Sequence, residues 1–215
     1  LKKSDKKRAL VLLSGGIDSA TALYWAKDQN YETFILSIDY YLRPNREKEA
    51  SRYLAKETHS KIIEISLPFL KEAFDLRLEG YPSPCAINTP EGFVPFRNLI
   101  FYSIAAYFAE AYSCDIIIGG HLNSDSQKFL DATPEYFKSF ESLMNDNLQC
   151  SESKKIKIML PLKNMKKSDA IHLALQLNVP IKKTWSCSSD GIEPCGECSS
   201  CIEFEEALRK IGKNK

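Results

Sequence analysis

The feature that most constrains this chain is Ser14-Gly15-Gly16-Ile17-Asp18-Ser19, set directly behind the apolar run Ala9-Leu10-Val11-Leu12-Leu13. A short β-rich run, a glycine pair and a helical pattern make a strand–turn–helix. Such a turn aims unpaired backbone N–H groups and hydroxyls at one point, and the helix end adds about half a unit of positive charge there. The glycines let the backbone approach an anion closely and accept positive φ. Ser14 and Ser19 can donate to phosphate oxygens, Asp18 can hold a magnesium ion or cap the helix, and Leu13 and Ile17 complete the candidate nucleotide-binding stretch. An ordinary β–α turn is the plainer alternative, since Ser, Gly and Asp are common turn residues. A Walker A loop is excluded, because its Gly-Lys-Ser/Thr ending is missing.

Strand and helix patterns alternate along the rest of the chain, which predicts an α/β fold: a Rossmann-like parallel sheet with helices on both faces. Leu10–Leu13, Thr33–Ile38, Lys61–Ile65 and Asp115–Ile118 read as strands, and Lys157–Leu160 leads into Pro161-Leu162. Asp18–Gln29, Arg46–Thr58, Leu70–Leu78, Asn98–Ala111, Pro134–Met144, Ser168–Leu177 and Glu203–Ile211 read as helices, with Ser168 expected as an N-cap. Residues 80–96 are rich in Pro and Gly and suggest a lid or mobile loop. The 215 residues, 44% of them apolar, suit one α/β domain over 1–180 with a small appendage over 181–215.

Charge excludes more than it suggests. Lys and Arg number 29 against 28 Asp and Glu, so no global pull toward nucleic acid or membrane exists. No apolar run approaches the ~20 residues that span a bilayer. The first eight residues are charged and lack the apolar stretch of a secretory leader, so a cytoplasmic protein is expected.

The second strong signal is Cys187-x7-Cys195-Gly-Glu-Cys198-Ser-Ser-Cys201. Two overlapping C-x2-C steps let thiolates converge from a tight turn, and Cys187 completes a closed set of four, a usual structural zinc arrangement. An iron–sulfur cluster is the competing reading. Four of the seven cysteines cluster here, which argues for a reduced protein with a metal site over a disulfide framework. Cys85, Cys114 and Cys150 are isolated, with Cys85 a candidate for reactivity and Cys114 for a packed thiol.

Between these signals lie residues at the carboxyl edge of the expected sheet, where open α/β sheets bind ligands. Asp39 follows the second strand, and either a catalytic role or helix capping suits it. Arg97 opens a helix, where a cation is disfavoured by a few tenths of a kcal/mol up to about one, so an anionic ligand is expected beside it. Asn98 can cap that helix or touch the ligand. His121, after Gly119-Gly120, can polarise a carbonyl or shuttle a proton, or be an ordinary loop histidine. Lys163, Lys166 and Lys167 read mainly as a solvated face.

The loop Ser14–Ser19 resembles the pyrophosphate-binding loop of the PP-loop ATP pyrophosphatases. With Asp39-Tyr40, Phe93-Val94-Pro95, Arg97-Asn98-Leu99, Pro161-Leu162, Thr184-Trp185-Ser186-Cys187 and Pro194-Cys195-Gly196-x-Cys198-x2-Cys201, the chain resembles the QueC family of 7-cyano-7-deazaguanine synthases. That resemblance implies an ATP-dependent carbon–nitrogen ligase of queuosine or archaeosine precursor biosynthesis. It would convert 7-carboxy-7-deazaguanine and ammonia to a nitrile, with ATP as substrate, Mg2+ and a bound Zn2+. Small-molecule substrates, no membrane, no nucleic acid and a homodimer burying Asn98–Ala111 are the partners expected. The chain departs from the family where Asp-Tyr-Gly-Gln-Arg-His reads Asp39-Tyr40-Tyr41-Leu42-Arg43-Pro44, where the Gly before Arg-Asn is Phe96, and across residues 120–134. A PP-loop paralogue adenylating another acid, or a tRNA-thiolating PP-loop enzyme, is the alternative.

Overall fold

A computed structural model describes residues 6–72, 94–148 and 155–213. Five parallel strands form one sheet in the order β3-β2-β1-β4-β5: β1 Arg8–Leu12, β2 Glu32–Asp39, β3 Lys61–Ser66, β4 Ile116–Ile118 and β5 Lys157–Met159. The helices are α1 Ile17–Asp28, α2 Asn45–Glu57, α3 Arg97–Ala111, α4 Asn123–Lys128, α5 Pro134–Asp146, α6 Lys167–Gln176 and α7 Ser199–Lys213. Each expected strand and helix within the described residues is present, with ends shifted by a residue or two except at α7. The helix expected over Leu70–Leu78, the loop over 80–96, Cys85 and Cys150 lie wholly or mostly outside the described residues.

Alternation along the strands explains the layering. Ala9, Val11 and Leu13 of the first strand, with Ile35, Ile116 and Ile118, face a core closed by Leu23, Leu54, Ile171 and Ala207 of α1, α2, α6 and α7. Leu10, Leu36, Ile38 and Ile117 face the opposite core, closed by Tyr102 and Ala105 of α3 and Phe137 and Phe140 of α5. Both faces are apolar because both are covered. A one-residue slip of β1 would exchange the two faces and set each side chain into a core shaped for another, a misfit of about 1–3 kcal/mol per overpacked position. The chain leaves β1 toward β2 and β3, then returns to pair β4 with β1, so the strand order reverses between β1 and β4. A crevice therefore opens at their carboxyl ends.

Two expectations are corrected. Ser168 is the second residue of α6 and does not cap it; the N-cap is Lys166, whose N–H donates to the Asp169 carboxylate at 3.2 Å. The last helix starts at Ser199, four residues before the expected Glu203, because the turn that gathers the cysteines runs straight into it. Among the described residues, no helix is long and apolar enough to cross a membrane.

Candidate active site

The crevice is a cavity of about 280 Å³ at the carboxyl ends of the strands. Of the residues singled out from sequence, Leu13, Ser14, Asp18, Ser19, Arg97, Asn98 and His121 line it. Gly15, Gly16 and Ile17 form the turn behind that wall, and Asp39 stands outside the lining.

The turn is wound tightly. Ser19 Oγ accepts the N–H groups of Ser14 and Gly15 at 3.2 and 3.3 Å and donates to the Gly16 carbonyl at 3.0 Å. Gly15 has φ +107, and a Cβ there would run into the backbone carbonyl of Glu47 in the first turn of α2. Gly120 is equally close to the start of α1: a Cβ would sit 2.8 Å from the Ser19 nitrogen. Glycine at 15 and 120 therefore lets α2 and the β4 end close on the loop.

Asp18 pairs with Lys167 at 2.7 Å, although among the described residues its second, enclosed carboxylate oxygen has no partner. Burial pushes its carboxyl above the usual range, against the Lys167 charge. Lys167, read from sequence as solvated, is thus drawn across the crevice from α6. An enclosed, unpartnered carboxylate oxygen beside a phosphate-type loop is a donor a divalent cation would satisfy.

Arg43 braces the loop from the other side. Its guanidinium is buried, donates to the carbonyls of Ser14 and Ile38 at 2.8 Å each, and faces Glu47 at 3.7 Å. Burial raises the Glu47 carboxyl, while Arg43, the Ser14 hydroxyl and Arg97 pull it back. The sequence signal for Arg43 was only its nearness to the strand edge.

Asp39 is occupied within the protein. Its carboxylate accepts Lys48 Nζ at 2.9 Å and the Tyr41 N–H at 3.0 Å. Burial works to raise it, but the hydrogen bonds from Lys48 and Tyr41 and the charges of Lys48 and Arg43 hold it below the usual carboxylate range. Tyr41 has φ +60 and Phe96 has φ +53. These are the two positions where the resembled family pattern carries Gly. The left-handed backbone is kept here by side chains that pay roughly 1–2 kcal/mol each for it.

Arg97 opens α3 and forms no ion pair among the described residues; it faces the Tyr40 hydroxyl. Asn98 is buried, and its Nδ2 donates to the Asp131 carbonyl at 2.9 Å while the Asp131 carboxylate accepts its N–H at 3.1 Å. Asp131 therefore caps α3 from a distant loop, and Asn98 docks that loop. Tyr102 projects a fully enclosed hydroxyl, without a partner among the described residues, toward Gly119 at the end of β4.

His121 packs against the touching rings of Tyr102 and Phe137, with ring centroids 5.9 and 5.0 Å away. Burial drives its pKa down to about 4; Arg97 pushes the same way, and Asp125 and Asp131 oppose it. The imidazole is neutral at pH 7, which suits an uncharged donor or acceptor and not a resident proton carrier. In the unfolded chain a histidine titrates near ~6.5. Between that value and about 4 the unfolded state binds the extra proton, so stability falls as pH drops through this window. At pH 5 the wild type is expected to lose about 2 kcal/mol more than His121→Asn, relative to pH 7, in urea titrations. Equal losses would sink the account.

The second site lies beside the first. The Sγ atoms of Cys187, Cys195, Cys198 and Cys201 all lie within 4.8 Å of one another, with Cys187 at 3.5 Å from Cys195 and 4.0 Å from Cys198. A tetrahedron of ~2.3 Å metal–sulfur bonds has edges of about 3.8 Å, so the set fits a single ion. Among the described residues no cysteine lines the cavity.

The segment around Cys187 reaches back to the Ser14–Ser19 loop. Neither α1, with Gly16 at its N-cap, nor α2, with Pro44, has a capping side chain of its own at that position. Ser186 Oγ accepts the first N–H of α1, from Ile17, at 3.2 Å, and Asp190 accepts the Arg46 N–H of α2 at 2.9 Å. The Trp185 N–H donates to the Gly15 carbonyl at 3.0 Å. Phe204, Ala207 and Ile211 of α7 pack onto the α1–α6 core.

With this geometry in place, comparison with known proteins is direct. The model of the family described as queuosine biosynthesis protein QueC matches residues 8–212. The chain is 40% identical over 206 residues to the 7-cyano-7-deazaguanine synthase of Thermoplasma acidophilum, covering 92% of this chain and 86% of that protein. It is 37% identical over 211 residues to the same-named protein of a Nitratiruptor species, covering 95% of each. Among solved structures, NMN synthetase from Francisella tularensis aligns with a TM-score of 0.53 over 98% of this chain and 88% of that one, at 17% identity. NH3-dependent NAD synthetase from Campylobacter jejuni aligns at 0.52 over 100% and 90%, at 18% identity. Those two share the fold alone. The matched span and the near full-length relatives decide membership: this chain belongs to the QueC family.

Proposed function

We propose that the chain is an ATP-dependent 7-cyano-7-deazaguanine synthase. The observation that carries the reading is the 37–40% identity, over more than nine-tenths of the chain, to proteins of that name. The cavity supports it by setting Ser14, Ser19 and Asp18 opposite Arg97.

In this reading the loop from Ser14 to Ser19 cradles the β- and γ-phosphates. The substrate carboxylate attacks the α-phosphorus, giving an acyl-adenylate and releasing pyrophosphate. Ammonia displaces AMP to form the amide with loss of a proton. The amide oxygen then attacks the α-phosphorus of a second ATP, releasing pyrophosphate, and loss of AMP and of the two amide protons leaves the nitrile. No side chain acts as nucleophile; the protein positions the reactants and stabilises charge through backbone N–H groups and Arg97. Neutral His121 can hydrogen-bond an uncharged part of the substrate. Asp39 acts by shaping the turn that carries Tyr40. Mg2+, held through Asp18, would neutralise phosphate charge. Zn2+ suits the four thiolates because one ion accounts for their spacing, whereas an iron–sulfur cluster spreads them over separate irons. The exposed apolar side chains of α3, Leu99 and Tyr107, suit a homodimer face.

Incubation with ATP, Mg2+, ammonia and 7-carboxy-7-deazaguanine is expected to yield AMP and pyrophosphate, two of each per nitrile, detected by chromatography. Absence of AMP with this acid, together with AMP formation on another carboxylate, would overturn the assignment in favour of a paralogue.

A further inference from the structure

Ser186 stands 169 residues from Ile17 yet holds the first free N–H group of α1 at 3.2 Å. Its Oγ lies 3.5 Å from where a Gly16 Cβ would be, directly over the phosphate-type turn. The oxygen accepts from Ile17, and among the described residues its own O–H has no acceptor. A hydroxyl that accepts from a helix N-terminal amide is polarised, and its hydrogen becomes a better donor to an anion. The backbone on either side is anchored: Trp185 bonds to the Gly15 carbonyl, and Cys187 belongs to the four-thiol cluster.

We propose that Ser186 is a phosphate ligand of the nucleotide site, donating its O–H to an oxygen of the pyrophosphate moiety while it accepts the Ile17 N–H. The four-cysteine segment then does more than fold the end of the chain: it delivers a binding group to the active site. This inference rests on the reading of Ser14–Ser19 as an ATP pyrophosphate loop and adds a ligand from outside that loop. A purely structural alternative exists, in which Ser186 only caps α1 as Asp190 caps α2. A cap alters stability without altering phosphate affinity.

The test is calorimetric titration of the full-length, metal-loaded protein with magnesium pyrophosphate, alongside metal content and thermal unfolding. Ser186→Ala is expected to keep its metal and bind pyrophosphate about tenfold more weakly, the loss of one hydrogen bond to a charged group. Ser186→Thr is expected to stay within about twofold of wild type, and Asp190→Ala to lower the unfolding temperature while leaving affinity unchanged. Pyrophosphate binding by Ser186→Ala equal to wild type would overturn the proposal, as would an equal loss in Asp190→Ala. Should Ser186→Ala unfold, the isosteric pair Ser186→Thr and Ser186→Val decides: equal affinities sink the hydroxyl's role. Pyrophosphate binding needs no carboxylate substrate. A wild type that binds it but fails to turn over the acid therefore counts against the proposed reaction alone.

Discussion

Gly15→Ala is expected to abolish measurable pyrophosphate binding and to destabilise the fold by about 2–6 kcal/mol. Two costs add. Gly15 has φ +107, a conformation L side chains rarely adopt, and the new Cβ would press into the Glu47 carbonyl and within 2.9 Å of the Ser51 nitrogen. Both obstacles are backbone of α2, so no side-chain rotation relieves them. Either α2 moves, carrying Arg43 and its hold on the Ser14 carbonyl, or the loop opens. Gly16→Ala is the internal control. Gly16 has φ −72, and a Cβ there meets only ordinary contacts at 3.4–3.7 Å. It should fold with nearly unchanged stability. Urea unfolding of both variants, with calorimetric binding, checks the contrast; equal behaviour would show that the close approach of α2 is unimportant.

Removal of the metal is the other large effect. Chelation of the four-cysteine site is expected to lower the unfolding temperature on the order of 10 °C and to weaken pyrophosphate binding. The unfolding temperature falls because of what the segment caps, and pyrophosphate binding weakens because Ser186, the proposed phosphate ligand, is no longer held over the loop. Without a tether at Cys187 and Cys195, Ser186 and Asp190 no longer hold the ends of α1 and α2, neither of which has a capping side chain of its own at the N-cap. The α7 helix begins at Ser199 inside the same cluster, so its docking of Ala207 onto the core loosens as well. Scanning calorimetry with and without chelator measures this, and Cys187→Ser should show the lowered temperature and no further response. An unchanged unfolding temperature after verified metal loss would refute the coupling.

Several elements were legible from sequence because their causes are local. The two-faced strands, the glycine turn and the C-x2-C steps each hold their chemistry within a few neighbouring residues. The departures at Tyr41 and Phe96 became intelligible only in three dimensions. Both sit in left-handed backbone, the conformation that a glycine adopts freely. Asp39 shows the opposite limit. Its position at a strand end was readable, but its engagement with Lys48 was not, since an ion pair across nine residues depends on how the β2–α2 turn closes.

By itself the sequence determined a parallel α/β sheet, a glycine turn after its first strand, and four cysteines at the spacing of a metal set, because periodicity, glycine placement and ligand spacing are properties of short segments. Only the tertiary structure decided what surrounds the turn: Arg43 bracing its carbonyl, Lys167 paired with Asp18, the neutral His121 against aromatic rings, and Ser186 and Asp190 capping helices far away in the chain. These contacts join groups up to 169 residues apart. Their partners are chosen by the strand order and by the burial it imposes, which no local pattern encodes.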